Sequence, residues 1–358
     1  MAQCVAVAIS GGRDSAVAAA LLASGPYEVL ALHALMTDTP GAHAQCELAR
    51  AVARRQGLRF ETVDLVDEFS RRVIEPFCAE YAAGRTPNPC VVCNRDIKFG
   101  LLLQHARARG AEMLATGHYV RVEHNDGEHR LRRAADRLAD QSYFLYAVAP
   151  ASLQHILAPL GDMQRAEARR IAAAKYGMAD TPSSQDVCFV PDGDCGRFVA
   201  QRAEVRPGDV VDLDGHILGK HHGLPFCTIG QRHGLRIATG EPKYVVRIDP
   251  EHNAVVVGSA ADLLSEAAVL DSLAWTGGRA PSAELLVHAQ TRYRSCGSPA
   301  HITVQGDIAH VRFLEPQRAI APGQSVVFYD DDVVLGGGVI RRRHEKATDA
   351  HVPVCADR

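Results

Sequence analysis

The stretch SGGRDS, Ser10–Ser15, lies between an apolar run, Gln3 to Ile9, and an alanine-rich segment, Asp14 to Ser24, that Gly25 closes. It therefore sits at a strand-to-helix turn. Two glycines let the backbone turn tightly and bring amide N–H groups toward an anion, and the helix N-terminus adds its positive dipole. Ser10 and Ser15 offer hydroxyls. No lysine follows the glycines, so the loop is not the Walker type that holds β- and γ-phosphates for phosphoryl transfer. Outward from this turn the alternation continues: a strand over Glu28 to Leu35, a helix over Ala44 to Gln56, a strand over Arg59 to Leu65, helices over Asp67 to Ala83 and Asp96 to Arg109, and a strand over Glu112 to Thr116. Such alternation means βαβ units and a mostly parallel sheet, whose ligands lie beyond the carboxyl ends of the strands. Beyond about Gly196 the texture changes to Gly/Pro/Asp turns between short β-rich runs, among them Lys243 to Asp249, Ala254 to Gly258 and His301 to Val304. These read as one or two small β domains.

A chain of 358 residues that is 47% hydrophobic and 23% charged buries ordinary cores, which excludes a disordered or fibrous class. No apolar run reaches the length of a membrane span, and Met1 to Ile9 lacks a basic leader region, so a cytoplasmic, non-exported protein with no membrane partner is expected. Ten cysteines scattered through so long a chain suit a reduced compartment in which thiols do redox or metal chemistry. With a formal net charge of −3, any RNA contact must come from local basic patches.

The loop GRTPNPCVVCN, Gly84 to Asn94, interrupts the βα pattern, and its prolines fix where Cys90 and Cys93 point. Cys93, placed just ahead of a helix N-terminus with Arg95 and Lys98 nearby, is expected to have a lowered pKa. A structural zinc site would need a second ligand pair at suitable spacing, which is missing. In SSQDVCFVPDGD, Ser183 to Asp194, Cys188 taken alone reads as a buried packing thiol. His216, His221, His222 and His233 sit among Gly and Pro without clear ligand geometry and read as part of an RNA-positioning loop. Arg292, Tyr293 and Arg294 suit either a solvated strand face or phosphate contact with base stacking. His118 reads as readily as a satisfied polar residue below a nucleotide as a catalyst, and is left off the catalytic set.

SGGRDS resembles the SGGxDS loop of the ATP-pyrophosphatase (PP-loop) superfamily. Together with GRTPNPCVVCN, ATGHYVR at Ala115 to Arg121, DQSYFL at Asp140 to Leu145, SQDVCFV at Ser184 to Val190, TIGQRHGL at Thr228 to Leu235 and GGGVI at Gly336 to Ile340, it resembles the tRNA-specific 2-thiouridylase family, in the family's order and over nearly the whole chain. The resemblance implies an α/β fold: a parallel-sheet adenine-nucleotide alpha-hydrolase-like domain over 1–198, a small central domain over 199–265, a tRNA-contacting C-terminal β-barrel over 266–343 and a tail over 344–358. It implies ATP-dependent 2-thiolation of the wobble uridine of tRNA. ATP would sit on Ala8, Ile9, Ser10, Gly11, Gly12, Arg13, Asp14 and Ser15, with contacts at Ala34 and Gly117 and Mg2+ on Asp14, and would adenylate the carbon-2 oxygen. Cys188 would carry a persulfide loaded by a cysteine desulfurase or relay protein, and Cys93 would be the other catalytic thiol, closing a disulfide with Cys188. Asn88, Pro89 and Cys90 would meet the flipped-out base, and Ala139, Asp140, Gln141, Arg292 and Tyr293 would contact tRNA. The alternative is sulfur transfer through a [4Fe-4S] cluster on Cys90, Cys93 and Cys188. Rival readings are a PP-loop enzyme that adenylates a small molecule, which would not need Cys93 and Cys188, and a tRNA-binding protein without activity.

Three departures from the family pattern stand out. Arg13 replaces a small apolar residue, where it either adds a phosphate contact or points to solvent. The segment Met36 to Cys46 is short and lacks an acidic stretch, which makes Ala34 the least secure nucleotide contact. Cys90 takes a position that is Asp in many relatives and Cys in others.

Overall fold

The computed structural model describes residues 2–125, 127–178 and 187–342. Expectations that fall on the tail from 344 and on Ser184 to Asp186 of the SQDVCFV motif lie outside the described residues. In the first domain, β1 (Gln3–Ala8) leads through the glycine turn into α1 (Arg13–Ala23), followed by β2 (Tyr27–Leu35), α2 (Pro40–Arg55) and β3 (Arg59–Asp64). Next come α3, a continuous helix of Val66–Phe69, a π-helical turn Ser70–Ile74 and Glu75–Ala82, and α4, which runs as Pro89–Val92, a π-helical stretch Cys93–Leu102 and Leu103–Ala108. After β4 (Met113–Ala115) a hairpin of β5 (Val120–Asn125) and β6 (Glu128–Arg133) intervenes before β7 (Ile156–Leu157) and α5 (Arg165–Tyr176).

The sheet order is β3-β2-β1-β4-β7, all pairs parallel. The order reverses between β1 and β4, so the crevice for a ligand opens at the carboxyl ends of those two strands. The central strand is apolar throughout its middle, with Val5, Ala6 and Val7 fully buried, as a parallel strand covered on both faces requires.

The prolines and glycine of 84–94 predict a loop through Asn94 and a helix from Asp96. In the structure α4 begins at Pro89, with Asn88 as its N-cap residue. A proline at the first helical position costs no hydrogen bond and has the right φ, so the loop's second proline starts the helix instead of prolonging the loop. Cys90 and Cys93 therefore both lie on α4.

A short helix, α6 (Cys195–Ala200), leads to the central unit: β8 (Gly208–Val211), β9 (Ile217–His221), β10 (Tyr244–Asp249) and β11 (Ala254–Gly258), in the order β10-β11-β8-β9 around Val210, Val245, Val255 and Val257. The last six strands, β12 (Leu264–Trp275), β13 (Leu285–Gln290), β14 (Ser298–Gln305), β15 (Ile308–Arg318), β16 (Ser325–Asp330) and β17 (Val333–Ile340), close a barrel through the β12–β17 pairing. The β5–β6 hairpin of the first domain extends this sheet where Arg132 pairs with Val333. Gly337 permits another close approach: a Cβ there would lie 2.8 Å from Cδ2 of Tyr146, whose hydroxyl donates to Ser325 Oγ at 3.2 Å. No described helix is long and apolar enough to cross a membrane.

Candidate active site

At the crevice the glycine turn folds on itself. Ser15 Oγ donates to the Gly12 carbonyl at 2.9 Å and accepts from the Ser10 amide at 3.1 Å, while the Gly12 amide donates to Ser10 Oγ at 3.3 Å. Gly11 holds φ +77°, and a side chain there would meet the Gln45 carbonyl at 2.9 Å. From β4, Gly117 packs against the same turn: a Cβ would sit 2.7 Å from the Ser15 amide nitrogen and 2.8 Å from the Asp14 carbonyl carbon. His33 at the end of β2 is buried, which holds it neutral, and its Nδ1–H donates to the Ile9 carbonyl at 2.8 Å. Ala34 follows it, half-buried. Asp14 accepts from the Tyr119 hydroxyl at 3.1 Å and pairs with Arg13 Nε at 3.5 Å. Arg13 is only 6% exposed, so the solvent-pointing alternative is wrong: its charge is drawn in by Asp14.

The thiols form the second part. Cys93 lies in the π-helical stretch of α4, and its burial pushes the thiol up to about 12. The lowered pKa expected from sequence is thereby corrected. Since α4 starts four residues earlier, Cys93 is not ahead of a helix N-terminus, and desolvation outweighs the attraction of Lys98. Burial also raises Cys90 and Cys188, and on each the Lys98 charge is the main opposing influence. Cys188 keeps water access in a crowded setting, because Phe189 beside it anchors the segment among Phe69, Phe77 and Phe198 at ring distances of 5.6, 5.1 and 5.4 Å. Cys188 is thus not the buried packing thiol that its local sequence suggests. Cys93 and Cys188 are free thiols here.

Lys98, close to Cys93 in sequence, is the residue that joins the two parts. Its Nζ lies 3.5 Å from Nε2 of His118, whose Nδ1 is 2.8 Å from Thr116 Oγ1. Burial holds His118 neutral, so its Nδ1–H donates to Thr116 and its Nε2 accepts from the ammonium. Thr116, Gly117 and His118 follow β4 directly, so the cation that faces the thiols touches the segment that backs the glycine turn. The wider turn of the π-stretch, with its i→i+5 hydrogen bonds, brings Cys93 and Lys98 closer to one face than an α-helix would, a signal that an α-helical reading of 96–109 could not give.

The third part is contributed by the barrel. Arg292 and Tyr293 lie on a turn after β13, not on a strand face, with Arg292 exposed. The Tyr293 ring packs 4.3 Å from that of Phe144 and is in electrostatic reach of Cys90. Asn94 Nδ2 donates to the Phe144 carbonyl at 3.0 Å, and Asn88 bonds the Tyr143 hydroxyl. Pro89 is buried. Ala139 and Asp140 are buried as well: Asp140 accepts from the Ala134 amide at 2.9 Å and Ser142 Oγ at 2.8 Å, and Gln141 Oε1 from the Tyr119 amide at 3.0 Å. These side chains are engaged inside the protein.

The histidines of the central unit do not converge. His221 is buried, with Nε2 3.1 Å from the Asn253 carbonyl and Nδ1 accepting from the Gly223 amide at 3.0 Å, while His222 and His233 are exposed. Among the described residues, the His/Cys/Asp/Glu side chains that approach within single-ion spacing are Asp212, Asp214 and His216, on an exposed turn. The three thiols are spaced too widely for one shared ion.

Family models cover most of the chain: one described as tRNA methyl transferase HUP domain matches residues 3–192, one described as tRNA methyl transferase PRC-barrel domain matches 196–259, and one described as Aminomethyltransferase beta-barrel domain matches 265–340. The chain is 43% identical over 357 residues to the tRNA-specific 2-thiouridylase MnmA of Carboxydothermus hydrogenoformans, covering 95% of this chain and 98% of that protein. It is 41% identical over 358 residues to the protein of the same name from Acidothermus cellulolyticus, covering 96% and 99%, and 44% identical over 349 residues to that from Moorella thermoacetica, covering 91% and 96%.

Proposed function

The chain belongs to the tRNA-specific 2-thiouridylase family and is a tRNA sulfurtransferase that uses ATP as a substrate, and we propose that Cys188 carries the sulfur as a persulfide while Cys93 releases it. The observation that carries this reading is the single contact of Lys98 with His118, which sets the three thiols beside the backing of the nucleotide turn.

The carbon-2 oxygen of the wobble uridine attacks the α-phosphorus of ATP, and pyrophosphate departs. The glycine turn Ser10 to Ser15 receives the phosphates, and Asp14, 29% exposed there, would hold Mg2+, which would supply charge neutralisation. Ala34, at the end of β2, borders the adenine side. AMP is now the leaving group on carbon 2. The terminal sulfur of a Cys188 persulfide, loaded by a cysteine desulfurase or relay protein, attacks carbon 2 and AMP leaves. Cys93 then attacks Cys188 Sγ, the sulfur–sulfur bond to the nucleoside breaks, and the electron pair stays on the sulfur at carbon 2. The products are 2-thiouridine and a Cys93–Cys188 disulfide, which an external dithiol must reduce before the next turnover. Exposure suits Cys188 for loading by a protein donor, and burial suits Cys93 for a step that water must not enter. Asn88, Pro89 and Cys90 border the extruded base, and Arg292 and Tyr293 grip the RNA, with Ala139, Asp140 and Gln141 supporting from beneath.

One observation favours a second reading: Cys90 is a third thiol in the same electrostatic group. Three thiolates fit a [4Fe-4S] cluster with one open iron, and Cys90, Cys93 and Cys188 would hold it; bound there, it would supply an iron site for sulfide. Protein purified without oxygen separates the two. The persulfide reading expects colourless protein, a persulfide on Cys188 by mass spectrometry, and substantial activity in Cys90→Asp. A brown chromophore lost together with activity in Cys90→Ser would overturn it.

A further inference from the structure

Three buried or half-buried side chains run from the first domain into the barrel. Asp140 Oδ2 accepts from Arg133 at 3.3 Å. The other arm of Arg133 donates to Gln290 Oε1 at 2.9 Å, and the guanidinium lies 3.5 Å above the centre of the Tyr329 ring. Gln290, only 3% exposed at the end of β13, donates through Nε2 to the carbonyl oxygens of Tyr293 at 2.7 Å and Arg292 at 3.2 Å. The amide can face only one way. Reversing it would set an NH2 group against a cation and an oxygen against two carbonyls.

The turn does not need this amide to close. Ser295 already bonds the Arg292 carbonyl through its amide at 3.1 Å and its hydroxyl at 2.9 Å. What Gln290 fixes is where the side chains of residues 292 and 293 leave the backbone relative to the first domain, because its other end is held by Arg133 of that domain. Tyr293 is thereby seated against Phe144, beside the helix that carries Cys90.

We infer that Arg133 and Gln290 are positioning residues for tRNA: a latch across the domain junction, from Asp140 through Arg133 and Gln290 to the Arg292–Tyr293 backbone, that sets the RNA grip over the thiol site. This rests on the reading of Arg292 and Tyr293 as tRNA contacts.

The test uses the full chain and an unmodified transcript of a tRNA with uridine at the wobble position. Gln290→Glu keeps the acceptor for Arg133 and replaces the donor to the turn with a carboxylate facing two carbonyls; Gln290→Met serves as an uncharged check of folding. Both are expected to raise the KM for tRNA about tenfold, the scale of one or two lost hydrogen bonds, with kcat at saturating tRNA and the KM for ATP little changed. The slope of log affinity against log salt should flatten by about one, as a lost phosphate contact requires. In a background of Arg292→Ala with Tyr293→Ala the same changes should add nothing. An equal loss in both backgrounds, or no loss with either variant, overturns the latch. If the double alanine variant alone leaves tRNA binding intact, the RNA-grip reading fails first, and the latch with it.

Discussion

Cys188→Ser is expected to abolish thiolation of tRNA, by a factor on the order of 10³ or more, while one equivalent of pyrophosphate per enzyme still forms when ATP and tRNA are mixed. The split follows from where the residue sits. Cys188 belongs to the segment anchored by Phe189 among Phe69, Phe77 and Phe198, far along the chain from the glycine turn, and its replacement is expected to leave adenylation intact. Serine cannot carry a persulfide, so the activated uridine meets no sulfur nucleophile to displace AMP. In the intact enzyme the raised thiol of Cys93, at about 12, sets the pH dependence of the releasing step: the thiolate fraction is small at neutral pH and grows tenfold per unit. Single-turnover release of 2-thiouridine should therefore quicken as pH rises from 7 to 9. Quench-flow measurement of pyrophosphate and nucleoside products checks both. Full thiolation by Cys188→Ser would remove it from the chemistry.

Gly117→Ala is expected to lower kcat/KM for ATP on the order of 10²-fold without weakening tRNA binding. Its φ is not in the left-handed region, so the effect is steric. The added Cβ meets backbone atoms, the Ser15 nitrogen at 2.7 Å and the Asp14 carbonyl carbon at 2.8 Å, which cannot rotate away as a side chain would. The glycine turn must move, and an ångström of misplacement at a reacting phosphate has a cost of that size. Isothermal titration with ATP and with tRNA separates the two affinities; unchanged ATP use would mean that the turn does not hold the nucleotide.

Much of this was legible in the sequence wherever local chemistry sets structure. The turn Ser10–Ser15 sits where its glycines and flanking periodicity place it, because an anion cradle, a buried strand and a helix start each leave a residue pattern. The β5–β6 hairpin left none: Arg132 finds its partner in Asp332 of the barrel, 2.9 Å from its Nε, a pairing that no local pattern shows. Barrel closure through β12 and β17 is likewise non-local. The lowered pKa expected for Cys93 is reversed in the structure, since proximity to Arg95 and Lys98 can be read from a sequence and burial cannot. Arg95 in fact spends its charge on Asp96, with Nε 2.7 Å from Oδ1. Gln290 is invisible to motif reading, because its role depends on two carbonyls and an arginine 157 positions away.

The most direct measurement is mass spectrometry of the nucleosides from an unmodified wobble-uridine tRNA incubated with the protein, ATP and a persulfide donor. The account predicts 2-thiouridine at the wobble position, formed with AMP in equal amounts and lost when ATP is omitted. Uridine left unthiolated while the protein binds tRNA and ATP, or a methylated nucleoside in its place, would contradict it.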